Sequence, residues 1–327
     1  MQDFFTFPES DLPMSLRCFR AELKNRGWPK ATLDRGAYNF ITVTRPDGAE
    51  FKLYSLTPPT TTYFAGYLAD DKLASFNILK SISAPTPETE LLEKDPEKRR
   101  AQLTRLFKKY PKLVVKPIDG SHGYDVFTGL TSVEAVEATL PPANHKTKRL
   151  VQEQLEPKSP EVRAICIGYK FVAAFARIPA TVTGDGQHTV AELIKLENST
   201  IRTAPYHSNL AFIDEVLAKD YLEKHALADQ IPRPGEKVRV IGICNVGCGG
   251  TVEDVSASFT PERRALAEKI ARAFDLPVIG IDFLDDYIIE VNSTPSLHYP
   301  TPDASSALCV TKFVDYLETL EAPSNKH

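Results

Sequence analysis

The sequence predicts an α+β (α/β) protein assembled from several units, each wrapping helices around an antiparallel sheet. Three observations carry that prediction. β-prone runs come in pairs joined by turn signals, as in "AYNFITVTRPDG" and "EFKLYSLT", where Asp47-Gly48 reads as a hairpin turn. Stretches with helical spacing fall between such pairs. Their order is neither a strand–helix–strand series nor an unbroken run of strands.

Element by element, "PMSLRCFRAELKNRG" reads as a helix, followed by the hairpin over Asp47-Gly48. In "DDKLASFNILKSI", Leu73, Phe76, Ile78, Leu79 and Ile82 recur at helical spacing. "SAPTPETELLEKDPEKRR" is Pro-rich and charged, hence surface, and "AQLTRLFKKYP" is helical. "KLVVKPIDGSHGYDVFTGL" gives a strand, a glycine turn and a second strand, then "SVEAVEATL" a short helix and "RLVQEQL" a strand. "EVRAICIGYKFVAAFARIPATVTG" reads as a meander turning at Gly168, and "HTVAELIKLENS" and "FIDEVLAKDYLEKHAL" as helices. "EKVRVIGICNVGCGGTVEDVS" returns to β with a glycine interruption. In "TPERRALAEKIARAFDL", Thr260 suits the cap and Pro261 the first helical position. Strands "PVIGIDFL" and "YIIEVN" and the helix "SALCVTKFVDYLETL" complete the chain.

The 327 residues suffice for two or three modest domains, and 25% charged with 42% hydrophobic residues fits an ordinary globular chain rather than a disordered one. With 39 basic and 43 acidic residues the net charge is -4, which makes nucleic acid a poor partner. No apolar run approaches the ~18 residues of a membrane span, and the N-terminus lacks the pattern of a secretory signal. Cys18, Cys166, Cys244, Cys248 and Cys309 are sparse, and the C-x3-C pair at Cys244 and Cys248 has no second pair or nearby histidine, so zinc is not expected. Reduced thiols in a cytoplasm are the simpler reading.

Three segments carry chemistry. In "LVVKPIDGSHGYDV", Lys116 ends an apolar strand, and Gly120, Ser121, His122 and Gly123 form a small-residue turn. Backbone N–H groups in such a turn can approach an anion closely, although an ordinary hairpin with a surface lysine would read the same way. In "VIGIDFLDDYIIEVNSTPSLHYP", Asp282 and Glu290 converge if the two strands pair antiparallel through Asp285-Asp286, and Asn292 falls on the same face as Glu290. Two carboxylates and an amide oxygen suit magnesium; two edge-strand acids facing water are the alternative. In "VQEQLEPKSPEVRA", a strand runs into an acidic, Pro-containing turn that could meet a base and a ribose or be a surface loop.

The order of these segments, with "FARIPATVTGDGQHTVAELI", "NVGCGGTVEDV", "GID" and "IIEVNSTP", resembles the ATP-grasp superfamily of carboxylate–amine ligases. Within it the resemblance is to the ATP-grasp module of cyanophycin synthetase, and more distantly to glutathione synthetase and D-alanine–D-alanine ligase. It covers roughly residues 70 to 320. No Mur-ligase-like segment follows within the sequence, so a complete cyanophycin synthetase is not expected. The resemblance implies an ATP-grasp fold holding the nucleotide between two α+β subdomains. The expected division is a small N-terminal domain over 1–70, a lid subdomain over 71–155, and a C-terminal subdomain with metal and substrate site over 156–327. Lys72 and Lys116 would contact ATP phosphates, and the loop from Gly120 to Gly123 would cover them. Glu153, Gln154 and Leu155 would meet the adenine, and Glu161 the ribose. Arg163 and Arg177 would face an acyl phosphate or substrate carboxylate. Arg239 and Asn245 would line the reacting end, and Asp282, Glu290 and Asn292 would hold magnesium. Where the family often has glycine, this chain has Ser296, which points to an altered acceptor pocket.

The implied reaction is ATP-dependent amide or peptide bond formation between an amino acid or short peptide and an amine, by way of an acyl phosphate. Its cofactors would be ATP and two magnesium ions, with manganese able to substitute. The partners are small-molecule amino-acid or peptide substrates, and the resemblance leaves a homodimer open. A non-catalytic ATP-binding module, or a kinase acting on a hydroxyl, are the alternative readings of the same fold.

Overall fold

The computed structural model describes residues 1–35, 39–118, 125–140, 148–203, 212–242, 248–299 and 305–322. The first strands are β1 (Gln2–Asp3), β2 (Lys30–Arg35), β3 (Asn39–Thr44) and β4 (Glu50–Tyr54), with helix α1 (Met14–Asn25) between β1 and β2. They form an antiparallel sheet in the order β1-β2-β3-β4. The hairpin over Asp47-Gly48 is formed as the sequence predicts, with Gly48 at φ 89°. Strand β2, not expected from the sequence, alternates like its neighbours, with Ala31 and Leu33 buried. Leu16, Phe19 and Leu23 of α1 pack on Leu33, Ile41, Val43 and Phe51.

Next come α2 (Tyr63–Asp70) and α3 (Lys72–Ser81), separated by Asp71, whose side chain caps α3 by accepting from Ala74 N at 2.9 Å. A second antiparallel sheet follows in the order β5-β8-β6-β7, from β5 (Thr89–Leu91), β6 (Leu113–Pro117), β7 (Phe127–Leu130) and β8 (Arg149–Glu153). Helices α4 (Pro96–Phe107) and α5 (Val133–Ala138) cover one face, where Leu103, Leu106 and Val136 meet Leu113, Val115 and Val151. Alternation therefore turns Lys116 and Gln152 to the other face.

The central sheet is antiparallel throughout, in the order β13-β10-β9-β14-β15. Its strands are β9 (Val162–Ile167), β10 (Lys170–Ile178), β13 (Thr251–Asp254), β14 (Val278–Leu284) and β15 (Tyr287–Asn292). The β9–β10 turn falls at Gly168 and Tyr169, both at positive φ (59° and 62°). The meander holds through β10 and then breaks, because Pro179 has no N–H to continue the ladder. The chain enters β11 (Thr181–Thr183), which pairs with β12 (Lys237–Arg239) in a separate ladder. Helices α6 (Val190–Thr203) and α7 (Glu215–His225) pack on that ladder around Val190, Ile194 and Leu222.

Helix α8 (Pro261–Ala273) begins as expected, with Thr260 Oγ1 accepting from Arg263 N and Pro261 at its first turn. It covers the central-sheet face bearing Ala164, Cys166, Ile279, Ile281 and Phe283, together with Phe76 and Leu79 of α3. The opposite face, bearing Ile165, Phe175 and Val278, packs on α9 (Ser305–Thr319) and the N-terminal sheet. Among the described residues no helix is long and apolar enough to cross a membrane.

Phe19 joins the N-terminal unit to α9, with ring centroids 6.3 Å from Phe4 and 5.7 Å from Phe313. Truncating a buried phenylalanine costs about 3–5 kcal/mol. Phe19→Ala is therefore expected to lower the denaturant midpoint of the whole chain and to loosen the N-terminal unit first, as read by hydrogen exchange.

Candidate active site

The site lies at one end of the central-sheet face that packs on α9. Strands β14 and β15 pair antiparallel through a turn in which Asp285 adopts φ 51°. The register sets Asp282 opposite Glu290 and Gly280 opposite Asn292, so the three expected metal ligands share one face. On the other side of β14, Asp282 pairs with Arg163 of β9, and Arg163 pairs with Phe175 of β10. A single row thus crosses the sheet from Glu290 through Asp282 to Arg163.

Asp282 is 1% exposed, and its carboxylate accepts from Arg163 Nε at 2.6 Å and from Arg163 Nη2 at 2.5 Å. Arg177 Nη1 lies 3.5 Å from the same carboxylate, and Asn292 Nδ2 donates to it at 3.4 Å. Burial opposes its charge, yet the two guanidiniums hold the carboxyl below its ordinary range. Burial likewise opposes the charge on Arg163, and Asp282 outweighs it, raising the guanidinium further.

Glu161, immediately before β9, is bonded by Arg177 Nη1 at 2.6 Å. Burial, and then the neighbouring Asp282 charge, push Glu161 up to about 7 against the pull of Arg177 and Arg163. Two carboxylates sharing two arginines split in this way, one held charged and the other made easy to protonate. Glu161, expected from the resemblance at the ribose, here belongs to the arginine cluster.

The lysines approach from the other sheet and from α3. Lys72, the first residue of α3, places Nζ 3.2 Å from Glu290 Oε1. Lys116 is buried, with Nζ 5.0 Å above the Phe76 ring and 3.0 Å from Gln152 Oε1. Burial pulls its ammonium down to about 8, with Glu290 opposing and Lys72 adding to the shift. The Gln152 amide is itself oriented. Thr89 Oγ1 donates to Pro87 O at 2.9 Å, so it accepts from Gln152 Nε2 at 2.6 Å and leaves the amide oxygen for Lys116. The strand-like pattern of "RLVQEQL" marks Gln152 as a polar side chain, and the register sets it opposite Val114, but its partner Thr89 lies on β5, inside a Pro-rich, charged stretch with no strand signal.

The remaining expected residues divide. Glu153 accepts from Glu88 N at 3.2 Å, Gln154 Oε1 accepts from Gly129 N at 2.5 Å, and Leu155 is half-buried where the chain leaves β8 for the central sheet. Asp285 fixes that passage by accepting from Lys158 N at 2.9 Å and Ser159 N at 3.1 Å. Arg239 is not brought to the carboxylates: it sits on the β11–β12 ladder and donates to the carbonyls of Ile241 and Gly242 at 2.8 and 2.6 Å. Gly120, Ser121, His122, Gly123 and Asn245 lie outside the described residues. Cys248 is half-buried against the core of α6 and α7, and burial raises its thiol.

Residues 69–191 match the model of the RimK-like ATP-grasp domain. The whole arrangement superposes on a bifunctional glutathione synthetase from Pasteurella multocida with a TM-score of 0.64 at 20% identity, over 94% of this chain and 44% of that one. The chain has the ATP-grasp fold. In sequence this ATP-grasp chain is 30% identical over 276 residues to a cyanophycin synthetase of Crocosphaera subtropica, covering 79% of this chain and 31% of the relative. It is 26% identical over 305 residues to a bifunctional glutathione biosynthesis protein of Clostridium perfringens, covering 88% of this chain and 38% of the relative. The chain thus spans about a third of the length of the curated relatives it matches.

Ser296, at the position where the resemblance leads to the expectation of glycine, is not at positive φ, so its backbone does not require glycine. Its hydroxyl instead brackets the next turn, donating to His298 O at 2.8 Å and accepting from His298 N at 3.4 Å.

Two outcomes follow from the arginine cluster. Arg163→Ala leaves Asp282 buried without its main partner and should cost about 3–5 kcal/mol, measured by chemical denaturation; restoring hydrophobic packing in Arg163→Met with Asp282→Leu should recover much of it. Glu161 binds its proton more readily folded than unfolded. Its contribution to stability is therefore full below the unfolded range near 4.5 and is lost as pH rises through about 7. Glu161→Gln should flatten the stability–pH curve across that window.

Proposed function

We propose that this chain is an ATP-dependent ligase that joins a carboxylate, from an amino acid or short peptide, to an amine through an acyl phosphate, releasing ADP and phosphate. The observation that carries the reading is the meeting of Lys116 from one sheet with Lys72, Glu290, Asp282 and Arg163 at the end of another. Four cations, Lys72, Lys116, Arg163 and Arg177, face the carboxylates Glu161, Asp282 and Glu290, an excess of positive charge suited to polyphosphate.

Amide formation from a free acid is slow because hydroxide leaves poorly. In the proposed reaction a substrate carboxylate oxygen bonds to the γ-phosphorus as the bond to the ADP oxygen breaks. The amine then attacks the acyl carbon, phosphate departs, and the amine loses a proton. The chain's own task is positioning and charge compensation. Lys72 and Lys116 meet the phosphates, and a phosphate beside Lys116 favours the ammonium form that burial disfavours. Arg163 and Arg177 meet the transferred phosphoryl group. Glu290, Asn292 and Asp282 provide oxygen donors of the kind magnesium prefers, and their common face fits that ion. Asp282 would share its oxygens with Arg163. Magnesium, when bound, supplies neutralisation of phosphate charge. Amino-acid or short-peptide substrates fit the printed names of the relatives, cyanophycin synthetase and a glutathione biosynthesis protein.

A coupled assay for ADP release, run across pairs of acids and amines, tests the reading. Amine-dependent ADP release is expected with at least one pair, and Glu290→Gln should reduce it by more than about 100-fold while leaving the fold intact. Binding of ATP without consumption by any pair would favour a non-catalytic module.

A further inference from the structure

Two buried hydrogen-bond donors at the site have no acceptor among the described residues. Tyr299 is 4% exposed, its ring lies 4.3 Å from Phe175 between centroids, and its hydroxyl is buried without a hydrogen bond. The hydroxyl faces the charges of Arg163, Arg177 and Asp282, and Arg163, the guanidinium nearest its oxygen, can only donate, so the Tyr299 O–H itself has no acceptor among the described residues. Arg177 Nε is also buried and unpartnered, although its Nη1 is bonded to Glu161. Phe175 and Arg177 are two residues apart on β10 and so share a face, which keeps the Tyr299 ring and the Arg177 guanidinium on the same side of the sheet.

Buried donors in folded proteins are almost always satisfied, so unsatisfied ones within a single site call for an absent acceptor. The carboxylates at hand are already engaged, Asp282 by Arg163 and Glu161 by Arg177. An O–H and an N–H framed by two guanidiniums fit an anionic oxygen. Resting on the ligase reading above, we propose that Tyr299 Oη and Arg177 Nε bind an oxygen of the transferred phosphoryl group, making Tyr299 a substrate-contacting residue. The phenol can rotate its proton toward that oxygen, while the stack on Phe175 fixes where the hydroxyl stands. Tyr299 lies in the segment after Asn292, which makes that segment contribute to the reacting end as well as to acceptor choice.

Tyr299→Phe keeps the ring stack and deletes only the hydroxyl. Inorganic phosphate is titrated into both proteins, with and without MgADP, by calorimetry and thermal shift. MgADP should bind both proteins alike, phosphate should bind the variant at least about ten-fold more weakly, and the unliganded Tm of the variant should hold or rise by roughly 1–3 °C. Equal phosphate affinity in the two proteins, or no phosphate binding to either, would overturn the assignment. So would a fall in unliganded Tm, which would mean that the hydroxyl serves the fold. If MgADP binds neither protein, the nucleotide reading fails instead, and the titration of phosphate alone still decides the role of Tyr299.

Discussion

The buried pair of Arg163 and Asp282 is the interaction on which the rest of the site depends. A carboxylate in the apolar strand β14 is tolerable only if a charge of opposite sign meets it with good geometry, and Arg163 does so with two parallel hydrogen bonds. The pair also pins register. A slip of one residue between β9 and β14 would turn Asp282 into the core under α8 and bring Phe283 to the site. Because β15 takes its register from β14, the positions of Glu290 and Asn292 follow from the same pair. Such a pair adds little net stability compared with a hydrophobic replacement, but removing one partner is costly. Its value here lies in specifying one arrangement of the sheet.

The second half of the site comes from a separate core and has to be aimed. Lys116 extends from the β5–β8 sheet, and the chain from Pro87 through Thr89 and Gln152 fixes the oxygen it meets. Helix α3 spans the two halves: Phe76 and Leu79 pack with α8, Lys72 Nζ reaches Glu290, and Lys72 N donates to Ile118 O at 3.3 Å. Asp285, in the turn that positions Asp282 and Glu290, also holds the passage between the sheets at Lys158 and Ser159. The carboxylate end of the central sheet and the Lys116 side of the site are therefore linked through short polar contacts, while each sheet has its own core.

Much of this was legible in the sequence where local chemistry and local structure coincide. The β14–β15 hairpin could be read because apolar runs flank Asp285-Asp286, and strand periodicity alone then put Asp282, Glu290 and Asn292 on one face. The cap of α8 and the turn at Gly168 were equally local. Contacts between distant strands were not legible. Arg163 was expected beside a phosphate or carboxylate group of the substrate, and nothing in "EVRAICI" shows that β9 lies against β14 and gives it Asp282. The resemblance gives Glu161 to the ribose, and nothing in its local sequence shows that the packing of β10 beside β9 also sets Arg177 on it. Arg239, which the resemblance sets at the reacting end, lies on the β11–β12 ladder that leaves the meander at Pro179, a branch that periodicity alone does not separate from the meander.

Gly280 shows how a residue with no chemistry of its own can decide the site. It sits opposite Asn292, two positions before Asp282 on the same face. A Cβ there would stand 2.9 Å from the Pro295 ring and 3.4 Å from Arg163 Cδ. The missing side chain therefore serves two neighbours at once: it lets Arg163 lie flat along β14 to reach Asp282 with both nitrogens, and it lets the segment after Asn292 fold back at Pro295. That return carries Leu297 into the core and Tyr299 onto Phe175. Ser296, bonded to the His298 backbone on both sides, stiffens the same turn. Substitution at Gly280 would push on the arginine and on the segment after Asn292 together, so the spacing of "GID" and "STPSLHY" constrains the site as firmly as its charges do.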